Sequence, residues 1–521
     1  MTASDAENSA LGHCQMHLAL KTHPRIWPYE PAPRHAPYRG PLFRVADAIE
    51  AIHRLEAAGV AHTAALDRAK RKFNGSHPGD HTYAEHALDQ YVEFHEAREA
   101  EIGPMVHLGN WHLVPQGRAE LGVWGPVYET SEGTREVRRF RLGRAKTKDT
   151  EWADIAAVVA REVPGNRLAS RVHVVEIGLL DGLEREVVSD EDAAAIDSRF
   201  AGRGRNAANS AATGKTRTPG RDCANCKIYA TCDALIPTPG ALQQDQQAAW
   251  TRSVSASDLD RYENCPAQWH MLDEHLPSDA EGSDARTRGI AVHTWLKEAH
   301  KRNTPCRPSD LRDPDDRDLG LAEGLIERAD YRAAYRYLRN HVESCPLADP
   351  DTKVISVEET QYCLDKSSDI IVAIKPDLIL LQDSTLVLHE VKTTQNDQLP
   401  PDADSARDRY LAVALNLTVM ESGLVERFSA ERGEVHLEII TPAESRTYRY
   451  ELSDKILGMI ARERVRAATT RWANDVTWKT SPGPHCAWCP VRRWCPERDT
   501  HTAATSGNLG LIQEDATPPP F

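Results

Sequence analysis

From Ser368 to Gln395 the chain reads SDIIVAIKPDLILLQDSTLVLHEVKTTQ, two apolar runs parted by a polar break at Asp383–Ser384. The pattern predicts two strands joined by a tight turn there. Asp377 falls on the first strand; Glu390 and Lys392 fall two apart on the second, so they share one face. The runs RVHVVEIG around His173 and EVHLEIIT around His436 also read as strands. TRGIAVHTWLKEAHKR predicts an amphipathic helix opened by Gly289 and carrying His293, and Ser255 or Ser257 is placed to cap a short helix running into Cys265. Three polar stretches interrupt this order. Residues 201–221 predict a mobile basic loop, residues 237–252 a linker rich in Pro, Gly and Gln, and residues 501–521 a disordered tail.

Length and composition refine that picture. The chain has 521 residues, which suits two domains of roughly 240 residues each. A net charge of −15 argues against a generally sticky nucleic-acid binder, though not against a local basic channel. No apolar run reaches membrane-spanning length and no signal-peptide layout opens the chain, which predicts a cytoplasmic protein without membrane association.

The cysteines change the picture most. Cys14 is followed about two hundred residues later by Cys223, Cys226 and Cys232, and Cys265 by Cys486, Cys489 and Cys495 with the same C-x2-C-x5-C spacing. In a reducing compartment disulfides are the weaker reading, and clustered thiolates suit an iron–sulfur cluster or zinc. Cys306, Cys345 and Cys363 have no such spacing and read as core or loop residues. The two patterns also imply a tandem duplication. Gly40 matches Gly289, His173 matches His436, and Ser189 precedes one apolar run as Ser453 precedes another. The expected layout is a first repeat over 1–236, the linker over 237–252, a second repeat over 253–500 and the tail.

Two charged groups beside the apolar Leu386, Leu388 and Val391 need compensation, which a divalent cation held by Asp377 and Glu390 would supply. Pro376-Asp377, then Glu390-x-Lys392 twelve residues on, resembles the signature of PD-(D/E)XK nucleases. His293 in G-x-x-x-H and the motif S-x-S-x-L-x-x-Y-x-x-C-P resemble the RecB-like branch, and Cys265 with Cys486, Cys489 and Cys495 resembles the iron–sulfur staple of AddB-type and Cas4-type nucleases. The likeness spans roughly residues 253–500. It implies an α/β architecture of two restriction-endonuclease-like domains, each with a mixed sheet flanked by helices and closed by a four-cysteine staple.

It further implies Mg²⁺ or Mn²⁺ held by His293, Asp377 and Glu390, with the carbonyl of Val391 a further ligand. Lys392 then orients or deprotonates the attacking water, or neutralises developing charge. A 4Fe–4S cluster is implied in the second half and, by repeat analogy, in the first. Tyr410 is kept from the family's Q-x-x-x-Y motif, but Ala406 stands where Gln would be; Arg407 and Arg409 flank it as candidate phosphate contacts. Glu358 or Glu359 is placed to add an acidic group.

Carried back at the repeat offset, the motif residues fall on Arg44, Pro126-Val127, Phe140 and Leu142, so no metal-binding carboxylate remains in the first half. The same strand carries Arg135, Arg138, Arg139, Arg141, Arg144, Lys146 and Lys148. It reads either as a phosphate-binding surface, through Arg138, Arg139 and Arg141, or as a solvated edge strand. The expected activity is metal-dependent hydrolysis of DNA in end processing, repair or defence. No G-x-x-x-x-G-K-[ST] occurs, so unwinding requires a separate helicase partner. The alternative is a non-catalytic nucleic-acid-binding or scaffold subunit.

Overall fold

The computed structural model describes residues 1–23, 34–35, 40–117, 119–146, 150–163, 167–278, 284–396 and 398–498. The expected tail, 501–521, and Lys148 lie outside them. The architecture is mixed α/β. In the first half, β1 (Met105–Gln116), β2 (Ala119–Thr130), β3 (Thr134–Arg141), β4 (Arg171–Gly178) and β5 (Glu184–Glu191) form one sheet in that order. A smaller sheet follows the order β6 (Ile236–Pro237), β9 (Gln361–Asp365), β10 (Ile370–Ile374) and β7 (Arg252–Ser255). The third sheet runs β14 (Ser445–Glu451), β13 (Arg432–Ile440), β12 (Thr385–Thr393), β11 (Leu378–Gln382) and β8 (Thr352–Val357).

The two five-stranded sheets share one pattern of pairing. From β1 or from β8, successive neighbours are antiparallel, antiparallel, parallel and antiparallel. The middle strand, β3 or β12, forms the parallel pair across a helical crossover and is covered on both faces. On β12, Leu386 and Leu388 pack into one core with the helix Leu411–Val419, while Val387 and Val391 pack into another with the helices Asp284–Lys301 and Arg328–Ser344. Continuous burial explains its unbroken apolar run.

Register corrects the carried-back positions. Leu378 pairs with His389 as Tyr128 pairs with Glu136, and Leu388 pairs with Val435 as Arg135 pairs with Val172. Val127, Val137 and Arg139 therefore stand where Asp377, Glu390 and Lys392 stand. Phe140, expected at the position of Glu390, packs into the opposite core. The equivalent of Glu390 is thus Val137, three residues before Phe140, and an odd shift exchanges the faces of a strand.

The basic strand is neither a phosphate-binding surface nor a solvated edge. Arg138 is fully buried; its Nε lies 2.6 Å from Glu136, and its guanidinium sits 4.0 Å from the Tyr128 ring centroid. Glu136 is also paired with Arg98 at 2.8 Å. Arg139 grips Glu7, Arg141 reaches Glu176 at 2.8 Å, and Arg135 donates to the carbonyls of Ala160, Arg161 and Arg167 near the end of the helix Glu151–Glu162. Burying a guanidinium requires such partners, and these leave little for a phosphate.

Other expectations change as well. Residues 205–213 form a helix, Arg205–Thr213, so the expected basic loop is largely ordered. The expected linker is packed, with Ala241, Leu242, Ala248 and Trp250 in the second-half core. Gly289 lies inside its helix rather than opening it. Ser255 does cap the helix Ala256–Asn264, in a reciprocal arrangement with Asp258 that Thr2 and Asp5 repeat at the N-terminus.

Arg138→Ala should lower stability by about 3–5 kcal/mol in chemical denaturation, because Glu136 loses a buried partner. DNA affinity should stay at the wild-type value under conditions where the variant is folded. A second expectation comes from the neighbouring histidines. Burial, then His107 and Arg138, push His53 down to about 3; burial, then Arg138 and His53, push His95 down to about 2. Both are neutral when folded, whereas the unfolded chain binds protons below its ordinary value near 6.5. Stability should therefore fall as pH drops from about 6.5 towards 3, by at most about 1.4 kcal/mol per pH unit per histidine. His95→Asn should flatten this acid limb in pH-dependent thermal melts.

Candidate active site

The second-half hairpin is interrupted where the first-half hairpin runs on. β10 stops at Ile374 and β11 resumes at Leu378, leaving Lys375-Pro376-Asp377 between them. Pro376 has no N–H to give the ladder, but Pro126 at the equivalent place lies within β2, so the proline alone does not set the break. Opposite, Glu358 takes φ +55° between β8 and β9, and its N–H donates to the Asp377 carbonyl at 2.9 Å. The double break turns the two carboxylates towards the helix Asp284–Lys301. There His293 Nδ1 lies 2.6 Å from Asp377 Oδ1 and 3.1 Å from Glu358 Oε1. Asp377 thus sits just before the strand on which it was expected.

Donor atoms of His293, Glu358 and Asp377 all lie within 4.8 Å of one another. The Val391 N–H donates to Asp377 Oδ2 at 2.6 Å, and a strand residue directs its N–H and C=O to the same neighbour, so the Val391 carbonyl faces this side too. Glu390 stands outside the three-donor group, held by Lys392 at 2.7 Å. Of the two glutamates, Glu358 joins the group and Glu359 is exposed. Its positive φ and its place at a strand break mark Glu358 out; neither is legible in VISVEETQY.

Burial works against a charged His293, but Asp377 and Glu358 outweigh it and raise the imidazole to about 10. Burial would raise Asp377, yet His293 and then Lys392 hold it well below the usual carboxylate range. Burial pushes Glu390 up, against the pull of Lys392 and with the added repulsion of Asp377. Three carboxylates are gathered here with Lys392 and the exposed Lys375, which pairs with Glu358. Hard oxygen donors with one imidazole suit Mg²⁺ or Mn²⁺.

Glu390 and Lys392 open onto a cleft of about 830 Å³, also lined by Asp260, Lys375, Arg409 and Tyr410. Among the described residues the buried Tyr410 hydroxyl has no hydrogen-bond partner. Ala406, at the position of the expected glutamine, is buried in the apolar core. Arg409 is exposed at the cleft, while Arg407 is paired with Asp404 at 2.6 Å and Asp408 at 2.8 Å.

Each cysteine quartet lines one small void: Cys265, Cys486, Cys489 and Cys495 the first, Cys14, Cys223, Cys226 and Cys232 the second. All eight are free thiols. The two sites are built alike, with the Gly220 N–H donating to Cys223 Sγ and the Gly483 N–H to Cys486 Sγ, each at 3.4 Å. Among the described residues no helix is long and apolar enough to cross a membrane.

Residues 253–496 match the family model of the PD-(D/E)XK nuclease superfamily. That match suggests a metal-dependent nuclease. It spans the interrupted hairpin, His293 and the second cysteine quartet. Among solved structures the chain is similar to one titled "Crystal structure of SSO0001", at 14% identity over 47% of this chain and 86% of that one, with a TM-score of 0.24. No curated protein matches.

Glu358→Gln should weaken Mn²⁺ binding, measured by calorimetry, by at least the about 10–100-fold that loss of an outer-shell partner costs. Glu359→Gln should leave it unchanged.

Proposed function

We propose that the second half is a RecB-like, Mg²⁺- or Mn²⁺-dependent deoxyribonuclease that hydrolyses phosphodiester bonds. The observation that carries this reading is the convergence of His293, Glu358 and Asp377 beside Lys392, at the wall of a cleft. His293, Glu358 and Asp377, with the Val391 carbonyl, would hold the cation, and Glu390 would complete the set on release from Lys392. The cation would supply a more acidic bound water and stabilise charge on the scissile phosphate. Lys392 would orient the attacking water or neutralise developing charge, Tyr410 would offer its free hydroxyl, and Arg409 and Lys375 would hold the backbone phosphates.

The cysteine quartets are read as 4Fe–4S sites. A tetrahedral zinc needs sulfurs about 3.8 Å apart, and neither quartet is among the three-donor groups within 4.8 Å found in the described residues. The wider spacing around a void suits a cluster. The shared strand pairing of the two large sheets supports a duplication in which the first half lost its metal site and kept its cysteines. That half then serves as a structural or partner-docking domain. DNA end processing, repair or defence, with a separate helicase, is the setting this reading favours.

Anaerobically purified protein should cleave labelled single- or double-stranded DNA when Mn²⁺ or Mg²⁺ is added. Lys392→Ala and Asp377→Ala should each reduce cleavage about 100-fold or more, with folding and iron content unchanged. Wild-type rates in both variants would refute the site, and a folded, metal-binding protein without cleavage would favour the scaffold reading. Cys489→Ala should remove about four irons per chain.

A further inference from the structure

Behind β12, on the face away from the cleft, four further metal-ligating side chains meet. His300 lies in the last turn of the helix Asp284–Lys301, Cys306 in the segment after it, and His341 and Cys345 at the end of the helix Arg328–Ser344. All four are buried, and one donor atom from each lies within 4.8 Å of the others. His341 Nε2 is 3.2 Å from His300 Nε2, which is 3.8 Å from Cys345 Sγ. A tetrahedral zinc bound at ordinary Zn–N and Zn–S lengths sets its nitrogens about 3.3 Å apart and nitrogen to sulfur about 3.6 Å. The observed separations are close to both.

The surroundings select the ligating form of the ring. His341 Nδ1 lies 2.9 and 3.0 Å from the two oxygens of the fully buried Glu438. An ionised carboxylate only accepts, so Nδ1 keeps its proton and donates to Glu438, which in the neutral ring leaves the Nε2 lone pair aimed at the other three donors. Glu438 is itself held by His389 at 3.0 Å, Ser445 at 2.7 Å and Ser344 at 2.9 Å. A carboxylate fixing a histidine from behind is the usual outer support of a zinc ligand. Trp295, Leu296, Tyr337 and Leu338 form the apolar wall. Both cysteines are free thiols.

We propose that His300, Cys306, His341 and Cys345 form a structural Zn²⁺ site, separate from the nuclease cation and from both cysteine quartets. His300-x5-Cys306 and His341-x3-Cys345 close the ends of the two helices on one ion, and Glu438 and His389 tie that ion to β13 and β12. His293 lies two turns before His300 on the same helix face, so the ion also fixes the helix that presents His293 to Asp377.

The test uses the full chain, purified anaerobically without a histidine tag and washed with EDTA to strip the nuclease cation. Elemental analysis should find a single zinc equivalent, released by a mercurial thiol reagent. Cys345→Ser should lose that zinc and keep its iron, whereas Cys486→Ser should lose iron and keep zinc. Cobalt-loaded wild-type protein should give the intense visible bands of a tetrahedral site with sulfur ligands, a measurement that stands if the variants fail to fold. His300→Asn should weaken those bands. Zinc-free wild-type protein that gives no such cobalt spectrum, or undiminished zinc in folded Cys345→Ser, would overturn the proposal.

Discussion

A charge on the middle strand of a sheet covered by helices on both faces must be compensated where it stands, because little water reaches it. Both halves place charges on that strand, and they meet the requirement in opposite ways. In the first half Glu136 sits between Arg98 and Arg138, while Arg139 and Arg141 turn to Glu7 and Glu176. The network is closed. In the second half Glu390 has Lys392, but Asp377 and Glu358 converge on a single histidine. These carboxylates stand beside a cleft, with Lys375 and Lys392 as their other partners, and that open arrangement separates a closed structural network from one able to bind a cation.

The interruption of the second hairpin follows from the same requirement. In the first half β1 and β2 continue as strands through this level, with only a register shift at Gly109 opposite Val127. At Lys375–Asp377 and at Glu358, whose φ is positive, both strands break at one level, and the freed backbone lets the two carboxylates approach His293. The strained turn is kept because the Asp377 carbonyl accepts from the Glu358 N–H and its carboxylate from Val391.

The halves are joined through their cysteine-bearing segments. Cys265, Val491 and Trp494 of the second half pack into the core that holds Tyr83 and Leu88 of the first. Cys223, Cys226 and Tyr229 of the first pack with Leu364 and Ile371 of the second. Tyr229 donates to Asp369 at 2.6 Å, adding a buried polar tie between the halves. Each quartet therefore lies at a junction, where ordering the four thiols also orders the contact.

The strands around Asp377, Glu390 and Lys392 and the cap at Ser255 were legible locally, since alternation, turn residues and capping side chains act over a few positions. The cysteine spacing likewise announced two equivalent groups. Long-range partners were not legible. Arg138 is an ordinary surface residue by composition, and only the packing of Tyr91, Tyr128 and Glu136 around it makes it a core residue. Glu358 was one of two adjacent glutamates until the backbone turned it inward. His300, Cys306, His341 and Cys345 showed no recognised spacing because their proximity is created by two helix ends crossing one sheet. Local chemistry is written in neighbouring residues; which buried charges and ligands meet is decided by the tertiary fold, because burial removes the water that would otherwise satisfy them.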